Sequence, residues 1–218
     1  MNTSKTPSPL VRLVGKTHGR LVFDRRAHVL ASALSQWLPS CQRLLDVGCG
    51  NGMIAHLIQQ QRETLTVEGV EFMARPECLV SCRDFDGLQV PLPDGSVDVA
   101  MFVDVLHHAA DARRLLADTV RVTRRYVLIK DHLCENSWDH LTLKFMDWVG
   151  NRPHGVVLPY SYRSRAQWDQ MFTACSLKVV QWTEDIPLYP RPFHWIFGRH
   201  LHFVALLEKT QPTELTSP

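Results

Sequence analysis

The residues whose types and spacing best suit chemistry form a short glycine-rich segment, residues 46–52, with the sequence DVGCGNG. Glycine at positions 48, 50 and 52 leaves no Cβ in the way, so a ligand can approach the backbone of this turn closely. A dinucleotide-binding fingerprint would need a glycine at position 53, which is Met53, and no phosphate-loop lysine follows. Asp46 instead places a carboxylate before the turn, which favours a cofactor that carries an ammonium group.

Further candidate side chains follow the apolar runs that come after this turn. Glu71 and Asp86 each lie just beyond a predicted strand, with Asp84 as a rival to Asp86. An isolated acid in a loop is most simply a solvated charge, but a position after a buried strand favours a role in binding. His107 and His108 close the next apolar run, where either of them could cap a helix, pack in the core or line a ligand pocket.

The segments that must hold these residues alternate between strand-length apolar runs and helical periodicity. This alternation is typical of βαβ units, which build a mainly parallel sheet covered by helices on both faces. A capping box, Ser164 with Gln167, marks the start of the last helix. The sequence predicts helices at 24–38, from 53, at 112–122 and from 164, and strands at 43–47, 65–70, 79–83, 97–103, 126–130, 177–183 and 201–207.

The composition sets the class of protein. The chain has 218 residues, of which 45% are hydrophobic and 21% charged, as in an ordinary globular domain rather than a disordered or fibrous chain. The formal net charge is +2 and the basic residues form no run, so nucleic acid is not an expected partner. Because no apolar run is long enough for a membrane span and the start is not signal-like, we expect a cytoplasmic protein.

The two ends differ from the rest of the chain. Residues 1–20 and 209–218 are polar and contain prolines, so both segments are predicted to be flexible. Between them we expect a single domain at 21–208, with a substrate-recognition insertion near 133–163.

The chain has six cysteines, which we expect to be free thiols because the cytosol keeps thiols reduced. Cys78 and Cys82 form the one close pair, but their spacing is not that of a zinc or redox motif. We therefore interpret them as small buried side chains rather than as metal ligands.

The glycine-rich turn, the two acids and the segment 96–108 occur in an order and spacing that resemble the class I S-adenosylmethionine (SAM)-dependent methyltransferases. The likeness covers roughly residues 43–130 and is greatest to the small-molecule group that includes the ubiquinone and menaquinone C-methyltransferases. It implies an α/β, Rossmann-like class I methyltransferase fold, in which a seven-stranded, mostly parallel sheet has helices on both faces. It also implies that S-adenosyl-L-methionine is the cofactor.

The resemblance assigns the cofactor site residue by residue. Glu71 matches the acid that holds the ribose hydroxyls, and Asp86 matches the acid that takes the adenine amino group. The segment that ends at His108 matches the loop beside the methionine moiety. The cofactor-binding residues implied in this way are Asp46, Gly48, Cys49, Gly50, Asn51, Gly52, Glu71, Phe72, Asp86, Gly87, Val103 and His108.

Methyl transfer from a sulfonium is an in-line displacement, so alignment and exclusion of water are the main tasks of the protein. A base helps only where the acceptor must lose a proton, and histidine suits that role near neutral pH. His132 follows the fifth strand and His154 lies in an expected lid, and we predict that one of them is the catalytic base. Asp104 and Asp131 resemble in position the carboxylates that hold a divalent cation in catechol-type enzymes, but His132 rather than an amide follows Asp131, so no metal is predicted.

The sequence does not identify the methyl acceptor. Aromatic and polar residues at 145–162 would suit a small, partly apolar acceptor methylated at oxygen, nitrogen or carbon, or would form a packed loop. The alternatives are a methyltransferase for a macromolecule and a SAM-binding scaffold without turnover. The oligomeric state is not predicted.

Overall fold

The computed structural model describes residues 25–73, 77–151, 160–188, 198 and 200–210. The helices in these ranges are α1 (25–37), α2 (Met53–Gln60), α3 (Ala112–Val122), α4 (Ser137–Asn151) and α5 (Arg165–Ala174). The strands are β1 (Arg43–Val47), β2 (Thr66–Glu71), β3 (Ser81–Asp84), β4 (Val97–Val103), β5 (Thr123–His132), β6 (Leu177–Thr183) and β7 (His202–Lys209).

The described strands form one seven-stranded sheet in the order β3-β2-β1-β4-β5-β7-β6. The pairs among β1 to β5 are parallel, and β7 runs antiparallel between β5 and β6. The carboxyl ends of β1, β2, β3, β4 and β5 therefore meet at one edge of the sheet. This is the edge at which doubly wound sheets bind their ligands.

The sheet separates two apolar layers, because successive side chains of a strand point to opposite faces. On β4, Phe102 lies in a layer with Trp168 of α5. Its neighbour Met101 lies in the other layer with Leu34 of α1 and Ile58 of α2. The predicted α/β fold with helices on both faces of a mostly parallel sheet is thus confirmed.

Most predicted elements occur where the sequence placed them, since β1, β4, β6 and α3 have the predicted bounds. β5 is longer than predicted: it begins at Thr123, directly after α3, and pairs that residue with Val97. The capping box is present, with Ser164 and Gln167 bonded to each other's backbone N–H groups. The prediction misses α4, which lies within the segment interpreted as an insertion at 133–163.

The last described residues are hydrogen-bonded, although the prediction assigned them to a flexible tail. Lys209 Nζ donates to the carbonyl oxygens of Val120 and Thr123, and Thr210 N–H donates to the carbonyl of Ser176. The other predicted flexible residues, 1–20 and 211–218, lie outside the described ranges. Within those ranges no helix is both long and apolar enough to cross a membrane.

Candidate active site

The glycine-rich turn connects β1 to α2. Gly48, Gly50 and Gly52 have left-handed φ angles of 73°, 59° and 72°, which residues with a Cβ rarely adopt. A Cβ on Gly48 would lie 2.7 Å from a methyl group of Val105, whereas a Cβ on Gly50 would meet none of the described atoms within 4 Å. The turn is therefore closely packed at Gly48 and open at Gly50, where a ligand can reach the backbone.

Glu71 ties the end of β2 to this turn. Its Oε2 accepts a hydrogen bond from Gly50 N–H at 2.6 Å, and its Oε1 accepts one from Phe72 N–H at 2.9 Å. Asp46 is buried at the end of β1, and burial, followed by the charge of Glu71, raises the pKa of Asp46 to about 7. A bound cation would favour the ionised form of Asp46.

Two other predicted turn residues have contacts within the protein. Asn51 Oδ1 accepts a hydrogen bond from Met53 N–H at 3.2 Å and so caps α2, whose N-cap residue, Gly52, has no side chain to do this. The Cys49 thiol lies 3.4 Å from the Cys82 thiol on β3.

Asp86 and Gly87 follow β3 and lie beside Phe72. Asp86 Oδ1 accepts hydrogen bonds from the N–H groups of Gln89 at 2.6 Å and Leu88 at 2.8 Å, which hold the pKa of Asp86 below its ordinary value. A Cβ on Gly87 would lie 3.5 Å from the ring of Phe72, which is itself 62% exposed. An exposed aromatic ring and an ionised carboxylate thus lie at the same edge of the site.

The loop after β4 reaches the turn from the other side, through the contact of Val105 with Gly48. Val103 ends β4 half-buried, and His108 N–H donates to the carbonyl of Val105 at 2.9 Å. His108 Nδ1 is buried, and the described residues offer it no hydrogen-bond partner. Burial, followed by the charge of His107, lowers the pKa of His108 to about 4, so its ring is neutral at pH 7.

His107 is held by a buried carboxylate at the end of β5. Its Nδ1 lies 2.6 Å from Asp131 Oδ1, while Asp131 Oδ2 accepts a hydrogen bond from Leu106 N–H at 3.0 Å. Burial acts to raise the pKa of Asp131, but His107 holds it well below its ordinary value. Burial acts to lower the pKa of His107, but Asp131 raises it overall. Asp131 is therefore ionised, and it both orients the imidazole and increases its basicity.

The other nitrogen of His107, Nε2, faces α4. It is buried without a hydrogen-bond partner among the described residues, and Asp147 Oδ2 lies 3.7 Å from it. Asp147 accepts a hydrogen bond from the Tyr162 hydroxyl at 2.5 Å, and burial, followed by Asp147, raises the pKa of Tyr162. The rings of Tyr162 and His107 stack with their centroids 6.0 Å apart. His107 Nε2 thus lies near Asp147, and it carries a free lone pair when the ring is neutral with its proton on Nδ1.

His132, one of the two predicted bases, lies on the opposite side of His107. Its Nδ1 is 3.3 Å from His107 Nδ1 and 3.6 Å from Asp131 Oδ1. Burial, followed by the charge of His107, lowers the pKa of His132. Its neutral ring therefore packs where His107 meets Asp131, and its centroid lies 5.9 Å from that of the Tyr162 ring. His154, the other predicted base, lies outside the described residues.

Asp104, which the sequence offered as a ligand for a divalent cation, is held by two basic side chains. Its carboxylate accepts hydrogen bonds from buried Lys130 Nζ and from Arg26 Nη2 on α1, the latter at 3.0 Å. Burial acts to raise the pKa of Asp104, but Lys130 holds it well below its ordinary value. Asp131 is in turn hydrogen-bonded to His107. Both carboxylates that resemble the metal ligands of catechol-type enzymes, Asp104 and Asp131, are therefore hydrogen-bonded to nitrogen atoms of the protein.

Residues 20–182 match the profile of a protein family described as "Methyltransferase domain". The match spans well over half of the chain. The chain belongs to this family. The predicted enzyme class, a methyltransferase, is thereby confirmed, and SAM is the cofactor that this class implies. The finer likeness to the quinone C-methyltransferases stays a prediction.

Curated relatives match part of this methyltransferase. The 27-O-demethylrifamycin SV methyltransferase of Amycolatopsis mediterranei (strain S699) is 28% identical over 109 residues, which are 44% of this chain and 40% of that protein. An uncharacterized methyltransferase of Mycobacterium sp. (strain KMS) is 34% identical over 116 residues, 49% of this chain and 45% of that protein. The chain therefore spans less than half the length of these relatives.

Solved structures share the fold at low sequence identity. The methyltransferase in the complex with the Trm112 methyltransferase activator of Haloferax volcanii has a TM-score of 0.66 at 14% identity, over 95% of this chain and 100% of that one. A SAM-dependent methyltransferase of Aquifex aeolicus has a TM-score of 0.58 at 16% identity, over 83% of this chain and 89% of that one. At these identities the likeness concerns the fold alone, and it agrees with the observed sheet.

Proposed function

We propose that this methyltransferase binds SAM at the glycine-rich turn and methylates a small, partly apolar acceptor at oxygen, nitrogen or carbon beside His107. The observation that carries this proposal is His107 Nε2, which is buried without a partner among the described residues while Asp131 orients the ring from the other side. When bound, SAM supplies a methyl group on a positively charged sulfonium, from which it transfers by in-line displacement.

Residues at the glycine-rich turn and after β2 and β3 support this proposal for the cofactor. The open backbone at Gly50 could lie close to the cofactor, and Glu71, which already accepts a hydrogen bond from Gly50 N–H, would accept hydrogen bonds from the ribose hydroxyls. Asp46 offers a carboxylate to the ammonium group of the methionine moiety. Phe72 offers an exposed ring to the adenine, beside the ionised carboxylate of Asp86. These groups would provide partners for the ribose, the ammonium group and the adenine of SAM.

His107 takes the role that the sequence assigned to His132 or His154. For a phenol or an acidic carbon, His107 Nε2 would take the proton of the acceptor as the methyl group transfers. The ionised Asp131 would stabilise the resulting imidazolium, as the carboxylate of a catalytic triad does. Asp147, which lies near the same nitrogen, and its hydrogen-bond partner Tyr162 would orient the acceptor. An acceptor that has no proton to lose would need alignment alone.

The depth of the site supports a small acceptor. The side chain of His107 is 1% exposed and that of Asp131 is fully buried. An acceptor must therefore insert between the β4 loop and α4 to contact Nε2. A small molecule would suit such a position, whereas a macromolecule would have to insert a single side chain or base.

The test of the acceptor class is a transfer assay with methyl-labelled SAM. The full-length protein is incubated separately with a small-metabolite extract, total RNA and total protein from the same cells. We expect a labelled small molecule, which mass spectrometry would identify by its gain of one methyl group. Label in RNA or protein with none in the small molecules would contradict the proposal.

The base is tested with the variants His107→Asn, His132→Asn and His154→Asn on the acceptor so identified. Positioned proton transfer contributes about 10²- to 10⁴-fold, so His107→Asn should lower kcat by that order while cofactor affinity stays nearly constant. His132→Asn is the matched control, because it removes a buried imidazole from the same cluster. Full kcat in His107→Asn, or a loss confined to His132→Asn or His154→Asn, would move the base to another residue.

A further inference from the structure

Three cysteine thiols lie together beneath the glycine-rich turn. The sulfur atoms of Cys49, Cys78 and Cys82 all lie within 4.8 Å of one another, and those of Cys49 and Cys82 are 3.4 Å apart. All three are half-buried free thiols. They come from the turn after β1, the segment before β3, and β3 itself. We call them the three-thiol cluster.

Glycines leave the space that the three-thiol cluster occupies. A Cβ on Gly69, in β2, would lie 2.6 Å from Cys49 Sγ, which real structures do not tolerate. The φ angle of Gly69 is not positive, so its backbone conformation does not require a glycine. The close approach of Cys49 Sγ explains why a glycine lies inside this strand. A Cβ on Gly52 would likewise lie 3.0 Å from Cys78 Sγ. Gly69 on β2 and Gly52 in the turn itself thus leave room for the sulfur atoms.

We propose that the three-thiol cluster binds one thiophilic d¹⁰ cation, such as Zn²⁺ or Cu⁺, through its three sulfur atoms. Thiolates select such soft ions over Mg²⁺ or Ca²⁺. With metal–sulfur bonds of about 2.3 Å, tetrahedral ligands lie about 3.8 Å apart, and the separations in the cluster span this distance. Each bound thiol forms one metal–sulfur bond and releases its proton to solvent.

The charges around the cluster also suit a cation. Burial, followed by the charge of Asp46, raises the pKa of Cys49, and burial raises that of Cys82, with Glu71 contributing. Burial and these carboxylates thus disfavour a thiolate charge at Cys49 and Cys82, and the same carboxylates would attract a cation. A bound cation would replace the lost protons and offset the negative charge.

This site differs from the Cys78–Cys82 pair, which the sequence alone did not support as a metal site. Cys78 and Cys82 alone lack the spacing of a metal motif, and the third ligand, Cys49, is far from both in sequence. Because Cys49 lies between two glycines of the turn, a bound ion would fasten the turn to β3. The proposal concerns a site next to the cofactor turn and stands apart from the reaction at His107.

The experiment is a titration of the reduced, full-length protein with Cd²⁺ as the probe under anaerobic conditions. We expect one ion per chain, with the ultraviolet charge-transfer absorption of cadmium thiolates. Cys49→Ser and Cys82→Ser should each weaken binding by at least about 100-fold, since the loss of even an outer-shell partner costs about 10- to 100-fold. Cys134→Ser is the matched control, because it removes a half-buried thiol outside the cluster and should leave the affinity unchanged.

X-ray absorption of the Cd²⁺-loaded wild-type protein gives an answer that does not depend on variants folding. Three sulfur neighbours around the ion are the expected result. No charge-transfer band, fewer than three sulfur neighbours, or an equal loss of binding in Cys134→Ser would overturn the proposal. If Zn²⁺ does not compete with bound Cd²⁺, the proposal that the cluster binds Zn²⁺ is also overturned.

Discussion

Binding of S-adenosylhomocysteine, the demethylated product of SAM, should strengthen as the pH rises from 6 to 8. Burial and the neighbouring charge of Glu71 raise the pKa of Asp46 to about 7. At pH 6 most unliganded molecules therefore carry a neutral Asp46, while the ammonium group of the ligand pairs with the ionised form. Binding at pH 6 must release a proton from Asp46, and this weakens the affinity.

The size of the effect follows from that pKa. Asp46 is ionised in roughly one-tenth of unliganded molecules at pH 6 and in roughly nine-tenths at pH 8. An ammonium group beside a carboxyl lowers its pKa by about 1 to 3 units, so in the bound form Asp46 is at least about half ionised throughout this range. The binding constant should therefore rise about five- to tenfold between pH 6 and pH 8.

Isothermal titration calorimetry at several pH values measures this change, and buffers of different ionisation enthalpy report the released proton. Asp46→Asn is the matched control, because the amide keeps the shape of the side chain but cannot ionise. The variant should bind more weakly at pH 8 and show little dependence on pH. A constant wild-type affinity from pH 6 to 8, or the same rise in Asp46→Asn, would refute the role of Asp46.

Three other predictions concern the cofactor, the metal question and the core. Glu71→Ala should weaken cofactor binding by about 1 to 3 kcal/mol, the usual effect of losing charge-assisted hydrogen bonds, and an unchanged affinity by calorimetry would move the ribose contact elsewhere. Turnover should not depend on Mg²⁺, because protein nitrogens already engage Asp104 and Asp131; activity lost in EDTA and restored by Mg²⁺ would reverse this view. Trp168 is fully buried, and its indole N–H donates to the carbonyl of His132 at 3.1 Å. Trp168→Ala should therefore lower the free energy of unfolding, measured in urea, by about 3 to 5 kcal/mol. A loss below about 1 kcal/mol would show that the surrounding core collapses into the space that the side chain leaves.

The sheet and the turn could be predicted because their signals are local. The apolar runs of β1 and β4 and the helical spacing of α3 coincide with the observed elements. Glycines at 48, 50 and 52 are needed for left-handed φ angles, so neighbouring residues in the sequence also predict the type of turn. Order along the chain then places Glu71 at the end of the neighbouring strand, where it contacts the turn.

The helix α4 shows where such a signal was misread. Trp138, Leu141 and Phe145 recur at helical spacing, but they are 72%, 58% and 54% exposed rather than directed to the core. Their aromatic and polar neighbours favoured an interpretation as a lid that lines a ligand site. Asp147, whose carboxylate approaches His107, links the described part of this helix to the candidate site.

The pairs that carry the proposals could not be predicted, because tertiary packing brings them together. His107 and Asp147 lie on a loop after β4 and on α4, and no spacing in the sequence relates them. Cys49 meets Cys82 because β2 pairs with both β1 and β3, which places the turn over the third strand. Sequence reasoning identified His107 as a candidate pocket residue, and the structure adds the partners that assign it a role.

The central claim, that this chain is a methyltransferase whose cofactor lies at the glycine-rich turn, is tested most directly by its affinity for S-adenosylhomocysteine. Calorimetry on the purified full-length protein should show one ligand bound per chain, with weaker binding in Glu71→Ala and nearly unchanged binding in His107→Asn. No binding of S-adenosylhomocysteine or SAM at millimolar concentration would contradict the claim. Binding that Glu71→Ala leaves intact would place the cofactor elsewhere in the protein.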